Sequence, residues 1–248
     1  MISEFTEFSY GFAVTHELIS EDSGNVFAAP EFPSLIREGK VGGGYDVRLN
    51  FGTFLFLQFK LSEFMYGGLA RYRSLIGLPY YRFWITPRWR SQQHRMLVDL
   101  ENVGQQVYYA APIFHLQTDF NAEFQRNTVV NRSAFISPGE INYLADDDDH
   151  CVVFNTVEAH FCSEPKRIRL HTGSSLKEFL AAQKQVLNLT STLDVASALY
   201  RIISSADNRV PRFSERSVPQ ALEYISFVAH VFLHSEVFFM PATAGQSA

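Results

Sequence analysis

The sequence GGGYDVRL at residues 42–49, followed by FLFLQFKL at residues 54–61, predicts the β-hairpin on which the rest of the fold depends. The first segment ends in alternating apolar and polar side chains, and the second is aromatic or aliphatic except at Gln58 and Lys60. Since side chains alternate across a strand, Gln58 and Lys60 are expected on one face and their apolar neighbours on the other. Two polar groups on an otherwise apolar strand indicate a functional site.

The hairpin is expected to bring Asp46 near Gln58 and Lys60. A carboxylate, an amide carbonyl and an ammonium would then surround one point. Asp46 and the Gln58 carbonyl suit a divalent cation, and Lys60 suits the orientation of a water molecule or the stabilisation of a charged phosphate.

Asp46 and the tripeptide Gln58-Phe59-Lys60 resemble the motif of the PD-(D/E)XK nuclease superfamily, in the variant where Gln replaces the second acidic residue. The resemblance implies an α/β fold, with a restriction-endonuclease-like αβββαβ core, a mixed sheet and a C-terminal helical portion. It also implies a nuclease that uses Mg²⁺ or Mn²⁺ to hydrolyse DNA, with a role in bacterial or anti-phage defence. Because such an enzyme endangers its host, a regulatory protein partner or a homo-oligomer is expected.

A further acidic ligand is expected from one of two positions. The superfamily's first helix often supplies one, and Glu7 lies in a predicted helix over residues 3–20 that Ser3 begins. Glu38 precedes the glycine run, where backbone can approach a metal closely, and is expected to join Asp46 and Gln58 as a metal ligand. The alternative for both glutamates is an ordinary solvated carboxylate.

Positive charge is concentrated in one part of a chain whose net charge is −5. Residues 64–98 contain six arginines and no acidic residue, interleaved with Tyr and Trp. Arginine suits phosphates, and aromatic rings suit splayed bases, so this window predicts contact with nucleic acid. The alternative is that half of these arginines pair with acids elsewhere. The residues expected to contact nucleic acid are Arg71, Arg73, Arg82, Arg88 and Arg90.

The order of predicted elements around the hairpin is helix, three strands, helix, strand. The third strand is expected at 80–86, the second helix at 91–101 and the next strand at 107–114. These elements place the nuclease-like domain at residues 1–165. Residues 166–248 are expected to form a helical C-terminal portion, with helices at 175–189, 192–205 and 219–239.

The composition is that of a globular protein, with 248 residues, 46% hydrophobic and 19% charged. No apolar run reaches the length of a membrane span, so we expect no membrane association and a cytoplasmic location. The two cysteines, Cys151 and Cys162, lack metal-ligand spacing and are interpreted as reduced packing residues. Residues 146–149, four consecutive aspartates, are expected to form a solvated loop rather than a metal site.

A second functional class remains open. Gln in place of a carboxylate removes one negative charge from the predicted metal site. The chain is therefore also compatible with a catalytically degenerate nuclease-fold module that binds nucleic acid or protein.

Overall fold

Two five-stranded sheets form the centre of the protein. A computed structural model of the chain describes residues 1–21, 52–176, 178, 192–214 and 217–241. The first sheet has the strand order β10-β1-β4-β5-β9 and the second has the order β2-β3-β6-β7-β8. The strands are β1 Gly52–Phe59, β2 Glu63–Met65, β3 Tyr80–Ile85, β4 Gln106–Pro112, β5 Ser133–Ile136, β6 His150–Phe154, β7 Ala159–Phe161, β8 Lys166–Ile168, β9 His171–Thr172 and β10 Glu236–Pro241.

Helices pack against both faces of the first sheet. On one face they cover the sheet, and on the other they lie beside the second sheet. They are α1 Glu7–Glu21, α2 Arg73–Ile76, α3 Gln93–Asn102, α4 Gln117–Arg126, α5 Pro138–Ile141, α6 Thr192–Ala206 and α7 Val218–Leu233. The expected α/β class with a mixed sheet is confirmed, since β1 runs parallel to β4 and antiparallel to β10. The second sheet is antiparallel throughout.

β1 contributes to two hydrophobic clusters, one on each face of its sheet. Leu55, Leu57 and Phe59 pack with residues of α1 and α4, whereas Phe54 and Phe56 pack with the second sheet and with α3, α6 and α7. The predicted alternation along this strand is therefore confirmed. The next two side chains with the orientation of Phe54 and Phe56 are those of Gln58 and Lys60. They therefore lie on the face of the first sheet that is turned toward the second sheet.

The predicted hairpin is not the pairing that β1 makes. β10 pairs with residues 52–57 on one edge, and β4 pairs with residues 55–59 on the other. A strand has only two edges, so residues 55–57 have none left for a strand that immediately precedes them. Residues 42–49 lie outside the described residues.

The predicted third strand and the helix and strand after it form as β3, α3 and β4, but they do not build one sheet. β3 belongs to the second sheet, between β2 and β6, whereas β1 and β4 are neighbours in the first. The specific restriction-endonuclease-like core is therefore not confirmed. Strand periodicity predicts that a segment is extended, but it does not determine which sheet the strand joins.

Two predicted helix boundaries are wrong. The first helix begins at Glu7 rather than Ser3, because Thr6 Oγ1 accepts a hydrogen bond from the Ser9 amide at 3.1 Å and caps it. The last helix ends at Leu233 rather than 239. His234 adopts the left-handed conformation, with φ at 47°, and the chain continues as β10.

The expected division at residue 165 does not coincide with a gap in the core. Leu199 and Ile203 of α6 and Val228 of α7 belong to the same cluster as Phe56 and Tyr109 of the first sheet. β10 also forms the edge of that sheet. Residues on both sides of 165 thus pack around one core.

Within the described ranges, no helix has both the length and the apolar composition that crossing a bilayer requires.

Substitution of Leu199 tests the shared core. Leu199 is completely buried, so Leu199→Ala should lower the free energy of unfolding by about 2–5 kcal/mol in a single cooperative urea transition. Arg201→Ala, at an exposed position on the same helix, should change the free energy by less than about 0.5 kcal/mol. Two separate urea transitions, of which Leu199→Ala shifts only one, would show that residues 166–248 fold independently.

Candidate functional site

Three of the five predicted site residues lie in the described part of the chain. Gln58 is near the end of β1, Lys60 follows that strand, and Glu7 is the first residue of α1. Asp46 and Glu38 lie outside the described residues. The charges of Glu7 and Lys60 act on each other, although no ion pair joins these two described residues, and the alternation along β1 puts Gln58 and Lys60 on one face.

The Gln58 side chain is buried with one of its polar atoms unmatched. Gln58 is 2% exposed, and its Nε2 donates to the Phe59 carbonyl oxygen at 3.1 Å. Its Oε1 accepts no hydrogen bond from any described residue. Because an unsatisfied buried oxygen is costly, such an atom indicates a bound water, ion or ligand. An amide oxygen is also a ligand that hard cations accept.

Lys60 lies between the end of β1 in the first sheet and the start of β2 in the second sheet. Its amide N–H donates to the Ala110 carbonyl at 2.9 Å, which continues the ladder to β4 by one residue. Its Nζ lies 5.8 Å from the centroid of the Tyr109 ring, in a cation–π contact. Burial lowers the pKa of Lys60, and the carboxylate of Glu7 partly offsets this decrease. The side chain is therefore closer to neutrality than a lysine in water.

A close approach of α1 to β1 places Glu7 near Lys60. A Cβ at Gly11 would lie 2.8 Å from the Phe59 ring, so only glycine allows the helix this close to the strand. Burial of its carboxyl raises the pKa of Glu7, and the Lys60 ammonium partly offsets the rise. The residue as a whole remains exposed, so water screens the interaction between the two charges.

His94 and Tyr109 form a hydrogen-bonded pair beside Lys60. The sequence analysis did not identify either residue as part of the site. Tyr109 Oη lies 2.8 Å from His94 Nδ1, and His94 Nε2 lies 2.7 Å from the Asn142 carbonyl oxygen. Since a carbonyl only accepts, Nε2 carries the proton and Nδ1 accepts from the tyrosine. Burial lowers the pKa of His94 to about 4, with the hydrogen bond to Asn142 acting in the opposite direction. His94 is therefore neutral at pH 7.

The predicted nucleic-acid contacts lie on and beside the second sheet. Two of the five arginines form ion pairs with acids, Arg82 with Glu63 and Arg88 with Asp147, the latter at 2.8 Å. The others contact aromatic rings or backbone. Arg71 stacks on Tyr72, Arg73 donates to the Gly68 carbonyl and Arg90 stacks on Trp89.

The four aspartates at 146–149 are exposed, as expected for a solvated loop. Asp147 forms an ion pair with Arg88, and Asp146 Oδ1 lies 3.1 Å from His150 Nε2. No group of three or more His, Cys, Asp or Glu side chains in the described ranges is placed to hold a metal ion. Cys151 and Cys162 are buried and carry free thiols, as predicted.

No protein-family model matches the chain, and neither a curated protein nor a solved structure matches it. A functional proposal therefore depends on the geometry of these residues.

The neutral state of His94 should make stability fall at acidic pH. An unfolded histidine titrates near ~6.5, so on acidification the unfolded chain binds this proton before the folded chain, whose pKa is about 4. The contribution of His94 should be complete above about pH 6.5 and should disappear between about pH 6.5 and 4, with a total near ~3 kcal/mol.

Urea unfolding of the wild-type protein and of His94→Gln at several pH values measures this contribution. The stability curve of the variant should be flatter in the same window, since glutamine does not titrate. Parallel curves for the two proteins would contradict the assignment.

Proposed function

We propose that this protein is a metal-dependent nuclease that hydrolyses phosphodiester bonds of nucleic acid, with DNA as the substrate. The observation that carries the proposal is the unmatched, buried Oε1 of Gln58 beside the Lys60–Glu7 pair. Gln58 and Lys60 are two residues apart on one face, which places their Cα atoms about 7 Å from each other. The motif resemblance implies a carboxamide, an ammonium and a carboxylate together, and its carboxylate is Asp46, which lies outside the described residues.

The oxygen donors fit Mg²⁺ or Mn²⁺ in chemical type. Gln58 Oε1 and the Glu7 carboxylate are hard oxygen ligands, and Asp46 and Glu38 are the proposed ligands from outside the described residues. When bound, the metal supplies a water of lowered pKa and offsets negative charge on the phosphate. Gln58 would hold its ligand from a buried strand on which it pairs with Tyr109 of β4, so the sheet fixes the position of its backbone.

Lys60 has two roles in this proposal. As an ammonium, it donates hydrogen bonds to a phosphate oxygen and balances charge that develops there. Because burial lowers its pKa, it also exchanges a proton more readily near neutral pH than an exposed lysine does. The Glu7 carboxylate favours the charged form of Lys60 and so partly offsets the decrease in its pKa.

We further propose a role in bacterial or anti-phage defence, a cytoplasmic location, and control by a protein partner or by self-association. The defence role and the control rest on the motif resemblance alone, and the location rests on the sequence patterns that predicted it.

Substitution at the site should abolish hydrolysis without unfolding the protein. With plasmid or single-stranded DNA and Mg²⁺ or Mn²⁺, Lys60→Met should reduce the cleavage rate by about 100- to 10,000-fold, because it removes the proton-exchanging group. Gln58→Leu, Glu7→Gln, Asp46→Ala and Glu38→Ala should each reduce it as well. Lys166→Met is the matched control, since Lys166 is exposed on β8 and remote in the fold. Full activity in both Lys60→Met and Asp46→Ala would exclude this site.

A catalytically degenerate module that binds nucleic acid or protein is the second candidate. Two observations favour it: residue 58 is an amide rather than a carboxylate, and the described ranges contain no metal-binding group of three His, Cys, Asp or Glu side chains.

Calorimetric titration with Mn²⁺ separates the two candidates. For a nuclease, the wild-type protein should bind Mn²⁺, and Asp46→Ala and Gln58→Leu should each weaken binding by about tenfold or more, since each removes an oxygen ligand. The absence of Asp46-dependent binding would favour the degenerate module.

A further inference from the structure

Both tryptophans of the chain are exposed, although tryptophan is usually buried for most of its surface. Trp84 on β3 is 37% exposed, and Trp89 in the turn after that strand is 64% exposed. Tyr66, after β2, is 62% exposed. Exposed aromatic rings also occur on α1 and α4, but both indoles lie on the second sheet and its adjoining turn.

Each tryptophan carries an arginine against its ring. The Arg82 Cζ lies 4.4 Å from the centroid of Trp84, and the Arg90 Cζ lies 4.7 Å from the centroid of Trp89. Glu63 accepts hydrogen bonds from Trp84 Nε1 at 2.9 Å and from Arg82, so it fixes the orientation of both side chains. A planar guanidinium on one side of an indole leaves its exposed surface for a second planar group.

This surface is the outer face of the second sheet. Phe83 and Ile85 of β3 face inward, within the large hydrophobic cluster, and side chains alternate along the strand. Arg82 and Trp84 therefore share the outward face. In the register of the sheet, Arg82 lies opposite Val153, which lies opposite His160, which lies opposite Arg167. The same row begins at Glu63 of β2, which lies opposite Arg82, so Arg82 and Arg167 flank Val153 and His160 within it.

The six arginines of residues 64–98 fall into two groups, those paired with a described carboxylate and those without one. Arg82, Arg88 and Arg95 pair with Glu63, Asp147 and Asp99. Arg71, Arg73 and Arg90 contact no carboxylate among the described residues, and two of these three stack on Tyr72 or Trp89. Among the described residues, Arg71 and Arg90 therefore combine a stacked aromatic ring with a charge that no carboxylate pairs.

We propose that the outer face of β3, together with the turn at residues 86–92, binds single-stranded nucleic acid by stacking unpaired bases on Trp84 and Trp89. This inference deepens the proposed function, because it defines the strandedness of the substrate. A duplex keeps its base faces stacked inside, where an indole has no access to them, whereas a single strand presents them. Arg90, Arg71 and Arg73 supply the charge that the sugar–phosphate backbone requires.

Tryptophan fluorescence tests the proposal directly, because the chain contains no other tryptophan. In EDTA, which prevents hydrolysis, a thymidine oligonucleotide should quench the fluorescence of the wild-type protein. Trp84→Leu and Trp89→Leu leave one fluorophore each, and each should weaken binding by about 5- to 150-fold. Phe124→Leu, at a partly exposed ring on α4 beyond the first sheet, should bind like the wild-type protein.

Two comparisons separate stacking from general attraction to a polyanion. A duplex of the same length should bind more weakly, and inorganic polyphosphate should bind without quenching. Arg90→Gln should reduce the slope of log affinity against log salt by about 0.7. Circular dichroism should show that each variant melts at the wild-type temperature.

Equal quenching by polyphosphate, unchanged affinity in both tryptophan variants, or a failure of the oligonucleotide to bind would overturn the proposal. These results are independent of the nuclease proposal, since binding is measured without metal and is read from the two tryptophans rather than from cleavage. Conversely, cleavage of duplex DNA that is insensitive to both tryptophan variants would retain the nuclease and exclude the stacking surface.

Discussion

β1 is enclosed on all four sides, and the rest of the structure depends on this constraint. Neighbouring strands occupy both of its edges, and separate hydrophobic clusters cover its two faces. A strand in this position is expected to be apolar throughout, as residues 54–57 are. Gln58 and Lys60 depart from that rule at the end of the strand. Placing a carboxamide and an amine there has a cost, because burial removes their hydration, and this cost is what makes the pair informative.

Desolvation links the groups around Lys60 to one another. The same burial that lowers the pKa of Lys60 also lowers that of His94 and raises that of Tyr109. Each shift favours the neutral form, so the surroundings of Lys60 are polar without being charged. Among the described groups that act on Lys60, Glu7 is the exception. Its carboxylate lies at the surface and attracts the Lys60 ammonium. A phosphate entering this site would therefore meet one cation with little competition from other fixed charges.

Local patterns in the sequence predicted local structure well and long-range pairing poorly. The apolar periodicity around Met96 and Leu97 correctly indicated α3, and the alternation along β1 correctly separated Gln58 from Leu57. The partner of β1 was predicted from proximity in sequence, but β10 from the far end of the chain takes that edge. The packing of the whole core decides which strand pairs with each edge of β1. A short window of sequence does not contain that information. The same reason explains why His94 was missed: its role depends on Tyr109 and Asn142, which reach it only through the fold.

The chain connects the proposed site to the proposed stacking surface by a very short path. Lys60 leaves β1, and three residues later Glu63 begins β2 and holds Arg82 and Trp84. A fully extended chain of three residues spans about 11 Å, so the two Cα atoms are no further apart than this. Lys60 follows a strand of the first sheet, whereas Trp84 lies on the face of the second sheet that points away from the first. A nucleic-acid strand bound at both places would have to cross the edge formed by β2, and Glu63 on that edge would lie along its path.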